Sequence, residues 1–299
     1  RAPVALFVYN RVRHTRSTVE ALVRNGQARE TDLVVFSDGP KTPESAGDVG
    51  HVREYIRSIQ GFRSLQIVER ASNFGLGASV IDGVTSICEK HGRVIVLEDD
   101  LPTAPHFLDF MNLTLNTYQG EERVMQAAGY TFRTSVSVST DAIFLPLTTS
   151  WGWATWQRAW KHFDRDARGY ERLAKDEALQ RKFNLNGHYD YFSLLRRQRD
   201  GKRDGWASLW YLSVFLCDGL VLYPRKTLVR NIGFDGSGAN PFLRSYDQEP
   251  LDPEFQVQTL PRSIEVTPEA EAMLRSLPRP RMTLGGILRR VGSIFRGRS

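Results

Sequence analysis

Cysteine is nearly absent. Cys88 and Cys217 are the only two in 299 residues, and there is no CxxC, no HExxH and no paired spacing among the six histidines. A disulfide framework and a structural zinc site are therefore not expected. Cys88 sits in a helical pattern and Cys217 in an apolar stretch, so both are expected as small core residues, and so little sulfur fits a reducing, cytoplasmic setting. The lone sequon Asn112-Leu113-Thr114 falls in a helical stretch and carries no weight. No apolar run approaches the ~20 residues that span a bilayer. The P-loop pattern GxxxxGK[ST] is missing, as is the GxSxG elbow of an α/β-hydrolase. Phe74-Gly75-Leu76-Gly77 approaches a dinucleotide fingerprint, but Val80 stands where the third glycine belongs. The chain begins at Arg1 rather than Met, which leaves a preceding segment open.

What remains is a soluble, globular composition, 41% hydrophobic and 25% charged, long enough for one large domain or two small ones. Its formal charge of +6 is local. Arg279, Arg281, Arg289, Arg290, Arg296 and Arg298 lie in a C-terminal stretch without an acid, and without them 34 basic residues face 34 acidic ones. A balanced body argues against nucleic acid as a partner. In the tail, Leu284, Ile287, Leu288, Val291, Ile294 and Phe295 follow three-and-four spacing between the arginines. That pattern describes a basic amphipathic helix able to lie on an anionic membrane surface, which would place the protein peripherally on the inner face of the cell membrane.

The first half alternates short apolar runs with amphipathic stretches. Strands are expected at Val4–Tyr9, Leu33–Phe36, Leu65–Val68 and Val94–Leu97, with helices near Thr15–Arg24, His51–Ile59, Ala78–Lys90 and His106–Tyr118 between and after them. Continuous apolar strands separated by helices imply an α/β fold with a mainly parallel sheet covered on both faces. Ligands bind such sheets outside the carboxyl ends of the strands, where Asn10-Arg11, Ser37-Asp38, Asn73 and Glu98-Asp99-Asp100 emerge. Further strands are expected at Val124–Ala128, Ile143–Leu145 and Leu220–Tyr223, and helices at Arg168–Phe183, Tyr189–Arg199 and Trp206–Leu216. A Gly-rich loop covers Gly233–Asn240, and Pro241–Pro280 reads as irregular.

Three acids at the end of a buried strand repel one another, and a cation relieves that repulsion. An oxygen-ligated ion such as Mg²⁺ or Mn²⁺ takes one or two carboxylates and leaves its other positions to phosphates and water. Asp204-Gly205-Trp206 places an acid beside an aromatic ring, which suits a general base, although Asp before a helix is also an ordinary N-cap. All six tryptophans lie between positions 151 and 210. Such rings serve equally as core and as platforms for sugar, and Trp151, Trp153 and Trp206 are the candidates for acceptor or sugar stacking.

An αβ half with an acidic triplet after its fourth strand, followed by an aromatic half, resembles the GT-A-fold glycosyltransferases. More narrowly, it looks like the N-acetylglucosaminyltransferase I-type branch and bacterial polysaccharide glycosyltransferases related to it. The segments that carry the likeness are Val4–Asn10 with Arg11, Ser37-Asp38-Gly39, Glu98-Asp99-Asp100, Ser150-Trp151-Gly152-Trp153 and Asp204-Gly205-Trp206, with the Gly233–Asn240 loop as a weaker addition. The resemblance implies a single mixed-sheet GT-A domain, with residues 1–120 as the nucleotide-sugar half and 121–240 as the acceptor and catalytic half, followed by an irregular extension (241–280) and the basic tail (281–299). It implies Asp100 as the metal ligand, with Mn²⁺ or Mg²⁺ as cofactor. Asp38 would meet the nucleotide base, with Asn10 and Arg11 near the nucleotide and its phosphates. Asp99 would face the ribose or donor sugar, Glu98 the donor sugar and Ser237 the phosphates. Asp204 would be the base; Gly205 stands where the eukaryotic branch has another acid, so Asp190, Asp200 and Glu171 are alternatives. The implied activity is inverting transfer from a nucleotide-sugar, UDP-linked by analogy, to a hydroxyl of a glycan or lipid-linked glycan on a bacterial surface. Two other classes share parts of this pattern. A sugar-nucleotidyltransferase would need a glycine-rich loop after the first strand, where Tyr9–His14 has no glycine; an inactive membrane-bound scaffold with the same fold would be expected to lose its acids.

Overall fold

The computed structural model describes residues 1–201, 205–237 and 248–277. Four βα repeats open the chain: β1 (Val4–Val8), α1 (Val12–Val23), β2 (Asp32–Ser37), α2 (Ala46–Arg57), β3 (Ser64–Glu69), α3 (Leu76–His91), β4 (Arg93–Glu98) and α4 (Phe107–Thr117). β1 pairs in parallel with β2 and β4, and β2 with β3. Alternate side chains of these strands enter opposite cores, because successive residues of a strand face opposite ways. Val4, Leu6, Leu33, Val35, Ile95 and Leu97 pack against α1, α2 and α4, while Ala5, Phe7, Val34, Phe36, Val94 and Val96 pack against Val80, Val84 and Ile87 of α3. Gly83 permits that contact, since a Cβ there would stand 2.7 Å from the Phe7 ring.

The second half adds β5 (Val124–Ala128), β6 (Ala142–Leu145), β7 (Trp153–Trp156), α5 (Gln157–Trp160), α6 (Tyr170–Lys175), α7 (Glu177–Phe183), α8 (Tyr191–Arg199), α9 (Ala207–Leu216), β8 (Leu220–Pro224) and α10 (Pro268–Ser276). One eight-stranded sheet results, in the order β3-β2-β1-β4-β7-β5-β8-β6. β7 is antiparallel to both β4 and β5, and β6 is antiparallel to β8. The expected mixed, mainly parallel α/β fold is the one observed.

Four local expectations change. Trp153–Trp156 was not expected as a strand, yet it is the link between the parallel half and the rest of the sheet. The helix over Arg168–Phe183 is broken at Asp176, whose side chain accepts the Leu179 N–H at 2.9 Å and starts α7. Cys217 is not core but exposed at the end of α9. Within the stretch expected to be irregular lies α10, capped by Thr267 on the Ala270 N–H, with Pro268 at its first position and Glu269 and Glu271 in its first turn. Asn112 of the sequon is buried in α4, where its amide bonds Ala2, Gln27 and Leu108. No helix among the described residues is long and apolar enough to cross a membrane. The basic tail lies outside the described residues.

Candidate active site

The parallel register brings the ends of four strands to one edge: Val8 lies beside Ser37, Phe7 beside Glu98, and Ser37 beside Glu69. Arg11 leaves β1 at the cap of α1 and reaches across to the acidic triplet. Its guanidinium bonds Asp99 and, at 2.8 Å, Asp100. The Thr18 hydroxyl donates to the Asp99 carbonyl at 2.7 Å, which fixes the turn after β4 on α1. Asp99 and Asp100 are buried. Burial, together with the mutual repulsion of the three acids, pushes the Glu98 and Asp99 carboxyls above the usual carboxylate range. Arg11 goes the other way: burial alone would lower it, but Asp99 and Asp100 more than offset that and hold it protonated. Asp99 and Asp100 thus share one guanidinium, with Glu98 beside them.

Asp100 is the under-served member. Its Oδ1 is buried without a hydrogen-bond partner. A carboxylate oxygen in that condition costs free energy unless something else accepts its lone pairs. Among the described residues, no group of three or more His, Cys, Asp or Glu could hold a metal ion. The one observation that suits a hard divalent cation is the partnerless Asp100 oxygen, since such an ion needs few protein ligands where phosphate and water supply the rest.

A second segment packs over this point. Ile232 N–H donates to the Asp100 carbonyl at 2.9 Å and Arg230 N–H to the Pro102 carbonyl at 3.0 Å. Gly233 then lies so close that a Cβ would stand 2.1 Å from Asp100 Oδ2 and 3.1 Å from Arg11 Nη1. Beyond it, His14 of α1 meets Asp235 at 3.1 Å. Asp235 also accepts both the hydroxyl (2.6 Å) and the N–H (2.9 Å) of Ser237, which is exposed. Gly233→Ala is expected to displace either the loop or the Asp100 carboxylate, at a cost of about 1–3 kcal/mol. Thermal unfolding would read that cost, and unchanged stability would mean that the loop has room to move.

The remaining expected residues take distinct places. Asn10 is half-buried at the end of β1. Asp38 is buried and braces two loops, with Oδ1 accepting the N–H of Gly39 (2.9 Å) and Phe74 (2.8 Å) and Oδ2 that of Gly75 (2.9 Å). Trp151 stands at the site edge, because β7 starts where β4 ends; its ring meets Tyr130 at 4.5 Å and Phe234 at 5.6 Å. Trp153 and Trp206 need correction as stacking platforms. Both are buried, stacked on each other at 4.9 Å within a cluster that includes Trp160 and Trp210. Neither presents a face to a ligand. Asp204 lies outside the described residues, as does the loop from Gly238 to Asn240.

His14, Gly233 and the amide clamp on Asp38 were not found by sequence reasoning. His14 had a signal, in the first turn of α1 three residues after its cap Arg11; the other two depend on contacts between distant parts of the chain.

No protein-family model matches the chain, and no curated protein matches it. Solved structures do show likeness. The mannosyltransferase PcManGT of Pyrobaculum calidifontis, in complex with GDP-Man and Mn²⁺, is 14% identical over 52% of this chain and 44% of its own, with a TM-score of 0.35. S. aureus TarS 1–349 is 12% identical over 78% of this chain and 61% of its own, with a TM-score of 0.44. Mouse xyloside xylosyltransferase 1 is 10% identical over 71% and 80%, with a TM-score of 0.36. This chain spans less than two thirds of the length of the first two. At such scores the likeness assigns no activity.

Proposed function

We propose that this protein is a GT-A-type glycosyltransferase that moves a sugar from a nucleotide-sugar to an acceptor hydroxyl with inversion. One observation carries the reading: a buried carboxylate oxygen of Asp100 without a partner, at the carboxyl edge of the sheet, beside Arg11 and under the Gly233 loop. A divalent cation held by Asp100 would neutralise the charge that develops on a diphosphate leaving group. Arg11 adds a fixed positive charge next to it, aligned in advance by Asp99 and needing no reorganisation during reaction. In this reading Glu98 faces the donor sugar, Asp99 the ribose or donor sugar, and Asp38 the nucleotide base. Ser237, on the loop that crosses Asp100, is the residue to meet the phosphates.

Asp204 is the proposed base, taking the proton of the acceptor hydroxyl as it attacks. A single base on the face opposite the leaving group, as the resemblance implies, gives displacement with inversion at the anomeric carbon. The acceptor is a bacterial surface or lipid-linked glycan, the donor a UDP-sugar and the ion Mn²⁺ or Mg²⁺; the basic tail would bring the enzyme to the cytoplasmic membrane face, where lipid-linked acceptors sit. The test is nucleotide release from a panel of UDP- and GDP-sugars with Mn²⁺, in wild type and Asp204→Ala. Metal-dependent release from one donor, with transfer lost in Asp204→Ala, is the expected result. No release or binding with any donor would overturn the reading, and full transfer by Asp204→Ala would move the base to another acid.

A further inference from the structure

The segment that crosses Asp100 runs antiparallel to the turn it covers. Ala104 N–H donates to the Leu228 carbonyl at 2.8 Å, Arg230 N–H to the Pro102 carbonyl and Ile232 N–H to the Asp100 carbonyl, and Thr103 pairs with Val229. Successive residues of such a pairing turn their N–H and C=O groups to opposite sides. Residues 228, 230 and 232 face the acidic turn, so the N–H and C=O of Asn231 face away from it. They are not left open. Gln248 Oε1 accepts the Asn231 N–H at 2.7 Å, and Gln248 Nε2 donates to the Asn231 carbonyl at 2.8 Å. A side-chain amide offers a donor and an acceptor side by side, and here it makes the two bonds that a third strand would make. The Asn231 side chain then turns forward and accepts the Gly233 N–H at 2.8 Å, which sets Gly233 on the Asp100 carboxylate.

Gln248 is itself anchored. It heads a strap, residues 248–266, that forms neither helix nor strand. Four contacts hold the strap to the body. Lys226 meets Asp252 at 2.6 Å, and Phe255 and Val257 are buried in the same core as α4. Asp141 Oδ2 accepts the N–H of Gln258 at 3.1 Å and of Thr259 at 3.2 Å. The Tyr118 hydroxyl donates to the Pro261 carbonyl at 2.6 Å. A half-buried amide on a fixed strap is thus clamped to the one residue that leads into the site loop.

We propose that Gln248 is a positioning residue for Asp100: through Asn231 it holds Ile232 and Gly233 against that carboxylate, keeping Oδ2 on Arg11 and leaving Oδ1 to a cation. The cation rests on the transferase reading; the clamp on the loop does not. Gln248→Met keeps the side chain's length and removes both bonds, and Asp141→Ala loosens the same strap at its other end as the control. The first readout is hydrogen exchange of the Ile232 amide in the free protein, which should speed up about tenfold or more in Gln248→Met and stay unchanged in Asp141→Ala. The second is Mn²⁺ titration in the presence of UDP. Gln248→Met should bind Mn²⁺ about 10–100-fold more weakly, whereas Asp141→Ala should keep the wild-type affinity. In turnover, the KM for Mn²⁺ should rise by the same factor while kcat at saturating Mn²⁺ stays within about threefold, because Asp100 itself remains. Gln248→Glu keeps the acceptor for the Asn231 N–H but loses the donor, and should move both readouts in the same direction if the Met variant does not fold. Unchanged exchange at Ile232, or an equal loss in Asp141→Ala, would overturn the proposal. If the wild type binds no Mn²⁺ while exchange responds as expected, the metal reading falls and the clamp stands; if the wild type binds Mn²⁺ and Gln248→Met binds it equally well, the positioning role falls and the metal reading stands.

Discussion

Asp100→Asn is expected to abolish metal-stimulated donor turnover, by about 10²–10³-fold, while leaving the protein as stable as before or more so. The two effects have opposite signs for one reason. The triplet crowds three carboxyl groups near Arg11, and burial raises the cost of keeping Glu98 and Asp99 charged. Removing one charge relieves repulsion in the free protein, yet removes the only carboxylate oxygen of the triplet that is buried and without a partner. Mn²⁺ should raise the unfolding temperature of the wild type through binding to the folded state, and Asp100→Asn should lose that shift. Arg11→Met is the complementary test. It leaves Asp99 and Asp100 buried without their cation, at a cost of roughly 3 kcal/mol, part of which Mn²⁺ should restore. A variant Asp100→Asn that keeps both turnover and the Mn²⁺ shift would remove Asp100 from the metal.

The acidic triplet was legible because its signal is local: four apolar residues, then three acids, with the edge of a parallel sheet implied by the repeats before it. β1 to β4 were legible for the same reason, each being a continuous apolar run between helical patterns. β7 was not. Trp153-Ala154-Thr155-Trp156 has no alternation, and although Gly152 precedes it, its identity as a strand comes from β4 on one side and β5 on the other, both distant in the chain. Asp38 is a similar case. An acid after a strand suggests a ligand contact, whereas the structure shows it held by amides 36 and 37 residues further on. α10 was missed although Thr267-Pro268-Glu269 is a local cap signal, because the stretch around it is rich in proline and charge. The tryptophans divided evenly between core and platform on sequence; burial separates them, since Trp153, Trp156, Trp160, Trp206 and Trp210 are all interior and Trp151 alone stands at the site edge.

Trp153→Ala is expected to be the most damaging single substitution in the core. The residue is fully buried, its ring packs on Trp206, Trp160 and Trp210, and its backbone pairs with Val96 of β4 and Ala128 of β5. Removing a buried indole costs about 3–5 kcal/mol, a large share of the roughly 5–15 kcal/mol that holds a domain together. The urea midpoint should fall steeply, or the variant should fail to accumulate. Trp153→Phe separates packing from polarity: the indole Nε1 is buried without an acceptor, so its loss carries no hydrogen-bond penalty, and the cost should stay below about 2 kcal/mol. Trp210→Phe should behave differently, because the Trp210 N–H donates to Gln126 Oε1 at 2.7 Å, and an orphaned buried acceptor adds about 1–3 kcal/mol. If Trp153→Phe instead kept full stability and lost glycan binding, the ring would be a platform after all. The buried stack argues for the other outcome: Trp153 anchors the start of β7, and with it Gly152 and Trp151, against the end of β4, so the core tryptophan sets the position of the one tryptophan that borders the site.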